Sequence, residues 1–364
     1  MAMNKMKKIN ISASLKSNLI TFGIVIAAYA VMQILVSLHL VSSLMRGLLV
    51  PICVYVILAV SLNLTVGILG ELSLGHAGFM CVGAFTGAFF SKYILYAVPG
   101  MPGALRFFLA LLIGALFAGL FGLLIGIPVL RLKGDYLAIV TLAFGEIIKN
   151  LINLLYLGID ENGVHISLNS ALDLHMEDSD KIIVNGAMGI TGTPNDSNFT
   201  IGVVLVLFAL IIVLNLIHSR DGRAIMAIRD NTIAAESVGI NVTKYKLMAF
   251  AISASLAGIA GVLYAHNLST LTALPKNFGY NMSIQILVFV VLGGIGNIRG
   301  SIISAVVLTV LPELLRGFVS DSRMLIYAII LIAMMLFNWA PACIAWREKI
   351  RYRLNRKKNA KEAE

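Results

Sequence analysis

Polar and ionisable side chains interrupt an apolar stretch in the first quarter of this sequence, where they could serve a ligand or an ion. The stretch reads LNLTVGILGELSLGHAG, residues 62–78, and it carries Asn63, Glu71, Ser73 and His76 among glycines. A carboxylate and an imidazole at membrane depth need partners or water, and the broken helices of transporters let such groups face a cavity. Two interpretations stay open: these residues line a path through a membrane, or they form a tight turn with close packing.

A second polar stripe lies in GDYLAIVTLAFGEIIKN, residues 134–150. Thr141, Gly145, Glu146 and Lys149 are three or four residues apart, so a helix would place them on one face. Glu146 and Lys149 could neutralise each other there, which lowers the cost of carrying both through lipid. A structural ion pair and a role in a path are both open. The candidate path residues are Asn63, Glu71, Ser73, His76, Thr141 and Glu146.

Catalytic and metal-binding chemistry finds little support in the sequence. An embedded enzyme could use His76 with Glu71, or the set His165, His175, Glu177, Asp178 and Asp180. The second set has no zinc-ligand spacing and is better interpreted as a solvated acidic face. Cys53, Cys81 and Cys343 lie in apolar runs without paired spacing, so neither a disulfide framework nor a zinc site is indicated. We predict no catalytic residue and no metal site.

The composition is that of an integral membrane protein. Of the 364 residues, 59% are hydrophobic and 13% are charged, with a mean hydropathy of +0.91. Soluble domains are about 45–50% apolar and about 25% charged. Lipid tolerates only helices or closed barrels, and strict alternation of apolar and polar residues is absent. We therefore predict an all-α polytopic helical bundle, in which the 32 glycines allow close helix packing.

Ten apolar runs are long enough to be considered as membrane spans. They cover residues 19–41, 47–67, 76–98, 104–130, 136–158, 199–218, 247–267, 282–298, 301–319 and 323–346. An even number places both termini on the same side. The glycine-rich LGGIGNIRG, residues 292–300, then falls at a turn between two spans. It is interpreted either as a close-packed turn or as a second broken helix.

The distribution of charge indicates on which side of the membrane the two termini lie. Most of the 28 lysines and arginines lie in the N-terminal tail, at 131–133, at 220–246, at Arg299 and in the C-terminal tail. By the positive-inside rule these places, and both termini, are cytoplasmic. The opposite loop, 159–198, is acidic apart from Lys181. The formal charge of +10 thus reflects membrane topology, and neither nucleic acid nor any partner beyond lipid follows from it.

The predicted layout has three parts. A cytoplasmic tail covers 1–18, a transmembrane domain covers 19–346, and a basic cytoplasmic tail covers 347–364. Within the transmembrane domain, residues 159–198 form an external loop and residues 219–246 form a cytoplasmic segment.

The cytoplasmic segment reads RDGRAIMAIRDNTIAAESVGINVTKYK over residues 220–246. We predict two short helices, with Asp230, Asn231 and Thr232 supplying N-cap chemistry for the second. That helix covers 233–238, and Gly239 is suited to end it. Such a helix, showing Ala234, Ala235 and Val238, could seat in a groove on a soluble partner. It could equally lie on anionic lipid.

Four stretches carry a resemblance to one family. IRDNTIAAESVGINVTKYKLMAFAISASLAGIAGVLYAH, IPVLRLKGDYLAIVTLAFGEII, NGAMGITGTP and GGIGNIRGSIISA together resemble the permeases of ATP-binding-cassette (ABC) importers. The M-type permease of the high-affinity branched-chain amino-acid importers is the most similar type. The general importer loop has Glu-Ala-Ala, three residues, then Gly; this chain has Ile233-Ala234-Ala235 and then Gly239. The resemblance covers about 48–338, with 160–184 as extra external sequence.

The resemblance implies a subunit of a bacterial plasma-membrane importer with several partners. A second, paralogous permease completes the path, an external binding protein delivers substrate, and two cytoplasmic ATPases hold the ATP and Mg²⁺. No Gly-x-x-x-x-Gly-Lys-Ser/Thr occurs in the sequence, so this chain supplies no such phosphate-binding loop, and no cofactor is expected in it. The implied ATPase-coupling residues are Arg229, Asp230, Ala234, Ala235, Glu236 and Gly239.

Other functions remain alternatives at this point. The superfamily includes importers of urea, sugars and nucleosides, and the binding protein largely sets which solute enters. A secondary transporter would need ion-coupling carboxylates, for which Glu71 and Glu146 are the candidates. Such a transporter, or an embedded enzyme, would work without an ATPase.

Overall fold

The computed structural model describes residues 2–316 apart from 99, 133, 161–162 and 175–181, together with residues 328–329, 332–333 and 336. The chain divides into two compact units, Met1–Val306 and Val307–Glu364, and every contact given below lies within the first. The predicted C-terminal tail, 347–364, lies outside the described residues.

Helices dominate the described chain. The long helices are α1 (Ala2–Ser37), α2 (Ser43–Asn63), α3 (His76–Ala97), α4 (Gly103–Val129), α5 (Asp135–Asn153) and α6 (Phe199–His218). They are followed by α7 (Arg220–Asp230), α8 (Thr232–Ser237), α9 (Val242–Ala265), α10 (Pro275–Phe278), α11 (Tyr280–Gly293) and α12 (Ile298–Arg316). Because α1 begins at Ala2, residues 2–18 of the predicted tail, 1–18, belong to the first helix.

Six helices of the described residues are long and apolar enough to cross a membrane. They are Asn18–Ser37, Ser43–Leu69, His76–Ala97, Gly103–Val129, Phe199–His218 and Val242–Ala265. The chain is therefore a largely helical membrane protein. Helices α5, α11 and α12 overlap three further predicted spans, and the tenth, 323–346, lies almost wholly outside the described residues. The count of ten crossings and the cytoplasmic termini stay predictions.

The polar stretch near residue 70 is a break between two helices. Helix α2 passes at its end into a π-helical turn, Leu64–Leu69. Gly70 ends this turn with φ +81°, a left-handed conformation that favours glycine. Residues 70–75 have no regular structure, and α3 begins at His76. The interruption is thus six residues without regular secondary structure.

Close glycine contacts join three of the spanning helices. A Cβ atom added to Gly83 of α3 would lie 2.3 Å from the Cα of Gly258 in α9. A Cβ added to Gly258 would lie 2.7 Å from the carbonyl oxygen of Gly114 in α4. Only hydrogen fits at such separations, so the backbones touch, as small residues permit in membrane bundles.

Short strands form where only helix and loop were predicted. Strands β1 (Tyr156–Asp160), β2 (Gly163–Ser167) and β3 (Ile182–Asn185) make an antiparallel sheet in the order β2-β1-β3. Strands β4 (Ile190–Thr191) and β5 (Thr270–Leu271) make a second pair. The predicted fifth span, 136–158, is therefore wrong at its end, because α5 stops at Asn153 and the chain extends to pair with its neighbours.

Candidate coupling and translocation site

The cytoplasmic segment predicted from the sequence folds into the two helices α7 and α8. The hydroxyl of Ser219 caps α7 by accepting a hydrogen bond from the Gly222 nitrogen at 3.0 Å. Asn231 Oδ1 caps α8 by accepting from the Ala234 nitrogen at 3.0 Å. Gly239 follows with φ +85°, so a residue in the left-handed conformation follows α8, as predicted. The observed helix, Thr232–Ser237, lies one residue before the predicted one.

The apolar residues exposed at α8 and directly after it differ from the predicted set. The side chains of Ile233 and Val238 are 81% and 75% exposed, and Ala234 is exposed beside them. Ala235 is only 3% exposed. The prediction that Ala235 shows its side chain to a partner is therefore wrong, because this side of the helix turns inward. Glu236 is exposed.

Arg229, at the end of α7, connects this segment to the broken end of α2. Its Nη1 donates to the carbonyl oxygen of Gly67 at 3.0 Å. Its Nε and Nη2 donate to Oδ1 of Asp230 at 3.1 and 3.0 Å. A Cβ atom on Gly70 would lie 2.5 Å from Cγ of Arg229, so the arginine side chain lies directly against the glycine backbone. Arg229 thus contacts both the segment's own acid and the π-helical turn.

Glu71 forms an ion pair with Lys246, near the start of α9. The two side chains are 15% and 8% exposed, so the pair is largely withdrawn from solvent. The sequence singled out both residues, Glu71 as a path candidate and Lys246 as part of the basic segment, without joining them. The need of a membrane carboxylate for a partner was the signal that could have linked them.

An apolar cluster fills the space between these polar contacts. Its buried members come from the π-helical turn, from α7 and from α9: Leu64, Ile68, Leu69, Ile225 and Ala249. Partly buried residues pack around them: Leu216, Ile217, Met226, Tyr245, Met248 and Ile252. The cytoplasmic segment is therefore fixed to the bundle by apolar packing as well as by polar bonds.

The two glycine-rich stretches of the sequence meet on the other side of the π-helical turn. Asn63 Oδ1 accepts a hydrogen bond from the Gly296 nitrogen at 2.9 Å, and Asn63 Nδ2 donates to Ser301 Oγ at 2.8 Å. A Cβ atom on Gly67 would lie 2.4 Å from the same nitrogen. Residues 294–297 form the turn between α11 and α12, as the close-packed interpretation of this stretch predicted. Asn63 therefore ties that turn to the end of α2.

The start of α3 is held by hydroxyl groups from neighbouring helices. Thr141 Oγ1 accepts from the Leu74 nitrogen at 3.0 Å. Nε2 of His76 lies 2.8 Å from Ser61 Oγ. Since the Ser61 hydroxyl donates to the Leu58 carbonyl at 2.9 Å, Nε2 of the imidazole is the donor toward the serine oxygen.

Ser73 is the path candidate in the break whose hydroxyl makes no hydrogen bond among the described residues. This hydroxyl is also buried. Thr141 thus contacts the chain between Ser73 and His76, whereas Asn63 and Glu71 bind other elements. The role of these residues in a translocation path stays a prediction.

Glu146 and Lys149 form the ion pair that their spacing predicted. The second oxygen of the same carboxylate, Oε1, accepts a hydrogen bond from the Tyr280 nitrogen at 2.7 Å. The polar stripe of α5 therefore faces α3 and α11, because Thr141 binds the segment before α3 and Glu146 binds the start of α11.

Metal chemistry is not evident in the described residues, which contain no group of three His, Cys, Asp or Glu side chains placed to hold a metal ion. The predicted acidic set at His175, Glu177, Asp178 and Asp180 lies outside those residues. Asp196 of the same loop pairs with Arg106 at 2.6 Å.

A cavity of about 290 Å³ opens between α3, α4, α5 and the small sheet. Its lining is apolar, with the phenylalanines Phe85, Phe89, Phe117 and Phe121 and one hydroxyl from Thr86. A polar solute would lose its hydrogen bonds there, so this cavity does not resemble a path for such a solute.

Comparison with known proteins adds a family. A family model described as branched-chain amino acid transport system / permease component matches residues 44–336. The high-affinity branched-chain amino acid transport system permease protein LivM of Salmonella typhimurium is 35% identical over 297 residues, which cover 79% of this chain and 67% of LivM. LivH of the same organism is 22% identical, over 73% of this chain and 83% of LivH.

A sugar-transport relative is also similar. The fructose import permease protein FruG of Bifidobacterium longum is 26% identical over 271 residues, which cover 72% of each chain. No solved structure matches the chain.

Proposed function

The chain belongs to the permease components of branched-chain amino acid transport systems, and from this membership we propose how it works. It is one permease subunit of an ATP-driven importer, and it forms part of the path by which leucine, isoleucine or valine enters a bacterial cell. It lies in the plasma membrane with both termini in the cytoplasm.

One observation carries the proposed coupling to an ATPase: Ile233 of α8 and Val238, directly after it, are exposed to solvent, while Ala235 is buried. Exposed aliphatic side chains on a short helix suit a groove on a protein partner. Arg229 and Asp230 stand at the rim of this surface. A helix lying on lipid would need its whole apolar face turned to the membrane, whereas Ala235 faces the protein.

The other partners follow from the same proposal. Both LivM and LivH resemble this chain, which supports a second, paralogous permease as the other half of the path. Two cytoplasmic ATPases bind ATP and Mg²⁺. One docks on α8 of this chain, and the other docks on the second permease. An external binding protein delivers the solute to the side that carries residues 159–198.

The proposed mechanism is a rigid-body switch. ATP binding brings the two ATPases together and pushes α8. The flanking helices α6 and α9 shift with it, and the path then opens to the other side of the membrane.

The alternative of an ion-coupled secondary transporter is less well supported. Its candidate carboxylates, Glu71 and Glu146, are each paired with a lysine, so neither is poised to exchange an ion with solvent. Among importers, the 35% identity to LivM against 26% to FruG favours a branched-chain amino acid over a sugar.

Reconstitution of the purified complex in lipid nanodiscs tests the function and its substrate. We expect binding protein loaded with leucine to stimulate ATP hydrolysis, and binding protein loaded with urea or sugar to leave it at the basal level. Stimulation by urea or sugar alone would overturn the substrate, and transport without any ATPase would overturn the importer.

The docking surface has its own test. Ile233→Asp and Val238→Asp should each abolish co-purification of the ATPases while the permease stays in the membrane. Ile166→Asp is the matched control, because Ile166 is similarly exposed on β2, in the segment proposed to be external. If the α8 variants retained their ATPases at normal stoichiometry, α8 would not be the docking site.

A further inference from the structure

We infer that Arg229 and the Glu71–Lys246 ion pair are positioning residues that carry movement of α7 and α8 into the break of α2. From there, Gly67 passes the movement to the turn between α11 and α12. The inference rests on the proposed function, since it concerns how ATPase docking reaches the membrane helices.

Two anchors flank α8 in the sequence and hold one short piece of the break. Arg229, three residues before α8, donates to the Gly67 carbonyl at 3.0 Å. Lys246, nine residues after α8, pairs with the Glu71 carboxylate. Both anchors therefore attach to residues 67–71. The chain around α8 cannot shift far without moving this piece or breaking a charged contact.

Each anchor is stronger than an ordinary surface contact. A hydrogen bond from a guanidinium to a carbonyl is charge-assisted. The Glu71–Lys246 pair is largely buried, and removing one partner of a buried pair leaves the other charge uncompensated. The side chain of Arg229 also lies against Gly70, where a Cβ atom would come within 2.5 Å of its Cγ.

Apolar packing makes the connection stiff. Ile225 of α7 and Ala249 of α9 are buried against Leu64, Ile68 and Leu69 of the π-helical turn. Close-packed interiors transmit displacement rather than absorb it. The packed turn is π-helical, a rare form that is frequent at functional sites.

The opposite face of the turn touches the second glycine-rich stretch. Gly67 lies against Gly296, and Asn63 binds both the Gly296 nitrogen and Ser301. A displacement of Gly67 by Arg229 therefore acts on α11 and α12 as well as on α2. Ser73, whose hydroxyl has no hydrogen-bond partner among the described residues, lies two residues after the piece 67–71.

The decisive measurement is the number of substrate molecules imported per ATP hydrolysed by the reconstituted complex. Glu71→Gln changes a residue away from the docking surface, so it should keep ATPase co-purification and ATP hydrolysis within about twofold of wild type. Arg229→Gln is compared by import per ATP alone, because Arg229 stands at the rim of the docking surface. Each should lower import per ATP about tenfold, within the range typical of coupling between sites. The exchanged pair Glu71→Lys with Lys246→Glu should recover most of the loss, which a residue needed only for its size would not do.

Matched controls lie on the same helices. Within the described part of the chain, Arg223 of α7 donates from Nη1 to the nearby His218 carbonyl at 3.2 Å, and Lys244 is exposed two residues before Lys246. Arg223→Gln and Lys244→Gln should therefore leave import per ATP unchanged.

Three results would overturn the inference. One is wild-type import per ATP in both Arg229→Gln and Glu71→Gln. Another is an equal loss in the two control variants. The third is loss of ATPase co-purification in Glu71→Gln without recovery in the exchanged pair, because Glu71 and Lys246 would then serve docking or folding. Failure of the wild-type chain to bind any ATPase would instead overturn the proposed function.

Discussion

Glu146 of α5 accepts a hydrogen bond from the backbone nitrogen of Tyr280, the first residue of α11, at 2.7 Å. The first N–H groups of a helix lack intrahelical partners and carry partial positive charge, so the carboxylate caps a helix to which it does not belong. Its other oxygen pairs with Lys149. A charge in an apolar segment is thus held by two partners, one from its own helix and one from another.

Glu146→Gln should destabilise the permease. The amide can still accept from Tyr280, but it cannot neutralise Lys149, whose side chain is 6% exposed. Breaking such a pair costs about 3 kcal/mol, which thermal unfolding in detergent would detect as a lower Tm. Adding Lys149→Met should recover most of this stability, because it removes the uncompensated charge.

Asp135→Asn is the control for that prediction, since Asp135 lies on the same helix and is exposed. An unchanged Tm in Glu146→Gln would show that the ion pair contributes nothing to stability. If Glu146→Gln also imported substrate normally at all concentrations, a path role for Glu146 would be abandoned in favour of its structural role.

Local sequence signals predicted the local features of this fold well. The Glu146–Lys149 pair followed from i, i+3 spacing, and the cap at Asn231 and the stop at Gly239 followed from residue type. Each of these depends on neighbours within one or two turns of chain, which a single sequence displays directly.

The contacts that join distant parts of the chain could not be predicted in the same way. Glu71 and Lys246 are 175 residues apart, and Asn63 and Gly296 are 233 residues apart. Periodicity gives each helix a face but does not say which helix it meets. The buried side of α8 was missed for a related reason, because six residues are too short for a periodic pattern to assign Ala235 to one face.

Gly258→Ala should loosen the packing of α4 against α9. The added methyl carbon would lie 2.5 Å from Cβ of Ala118 and 2.7 Å from the Gly114 carbonyl, so the helices must separate. Overpacking of this kind costs about 1–3 kcal/mol, and we expect a lower Tm and a smaller folded yield in detergent.

Gly47→Ala is the matched control, because Gly47 is also helical and a Cβ atom there meets nothing within 4 Å among the described residues. An equal decrease in Tm and folded yield in the two variants would show that the destabilisation comes from helix propensity or purification, and not from contact between α4 and α9.

Gly239→Val should weaken the end of α8. Gly239 has φ +85° and a Cβ atom there meets nothing within 4 Å among the described residues, so the cost is backbone strain alone, about 1–2 kcal/mol. Gly239→Asn should be tolerated, since asparagine adopts this conformation more readily. Amide hydrogen exchange over 232–240 should accelerate about tenfold in the valine variant, because local opening becomes easier by that energy.

The asparagine variant is the comparison that decides this prediction. Equal exchange in the valine and asparagine variants would show that Gly239 is not needed for its left-handed conformation. Equal exchange in wild type and the valine variant would show that α8 is stabilised by its contacts and not by the left-handed residue that ends it.

Asn63→Ala should detach the end of α2 from the turn between α11 and α12. The variant leaves the Gly296 nitrogen without its acceptor and removes the bond from Asn63 Nδ2 to Ser301 Oγ. An unmade hydrogen bond of a buried group costs about 1–3 kcal/mol. Ser301→Ala keeps the bond to Gly296, removes the second bond and the local bond from Ser301 Oγ to the Asn297 carbonyl at 3.2 Å, and should cost less. A double-mutant cycle on the two variants, read by thermal unfolding, should give an interaction energy of about 1 kcal/mol. Strictly additive losses would show that Asn63 and Ser301 do not stabilise each other, and the proposed route from Gly67 to α12 would lose its second contact.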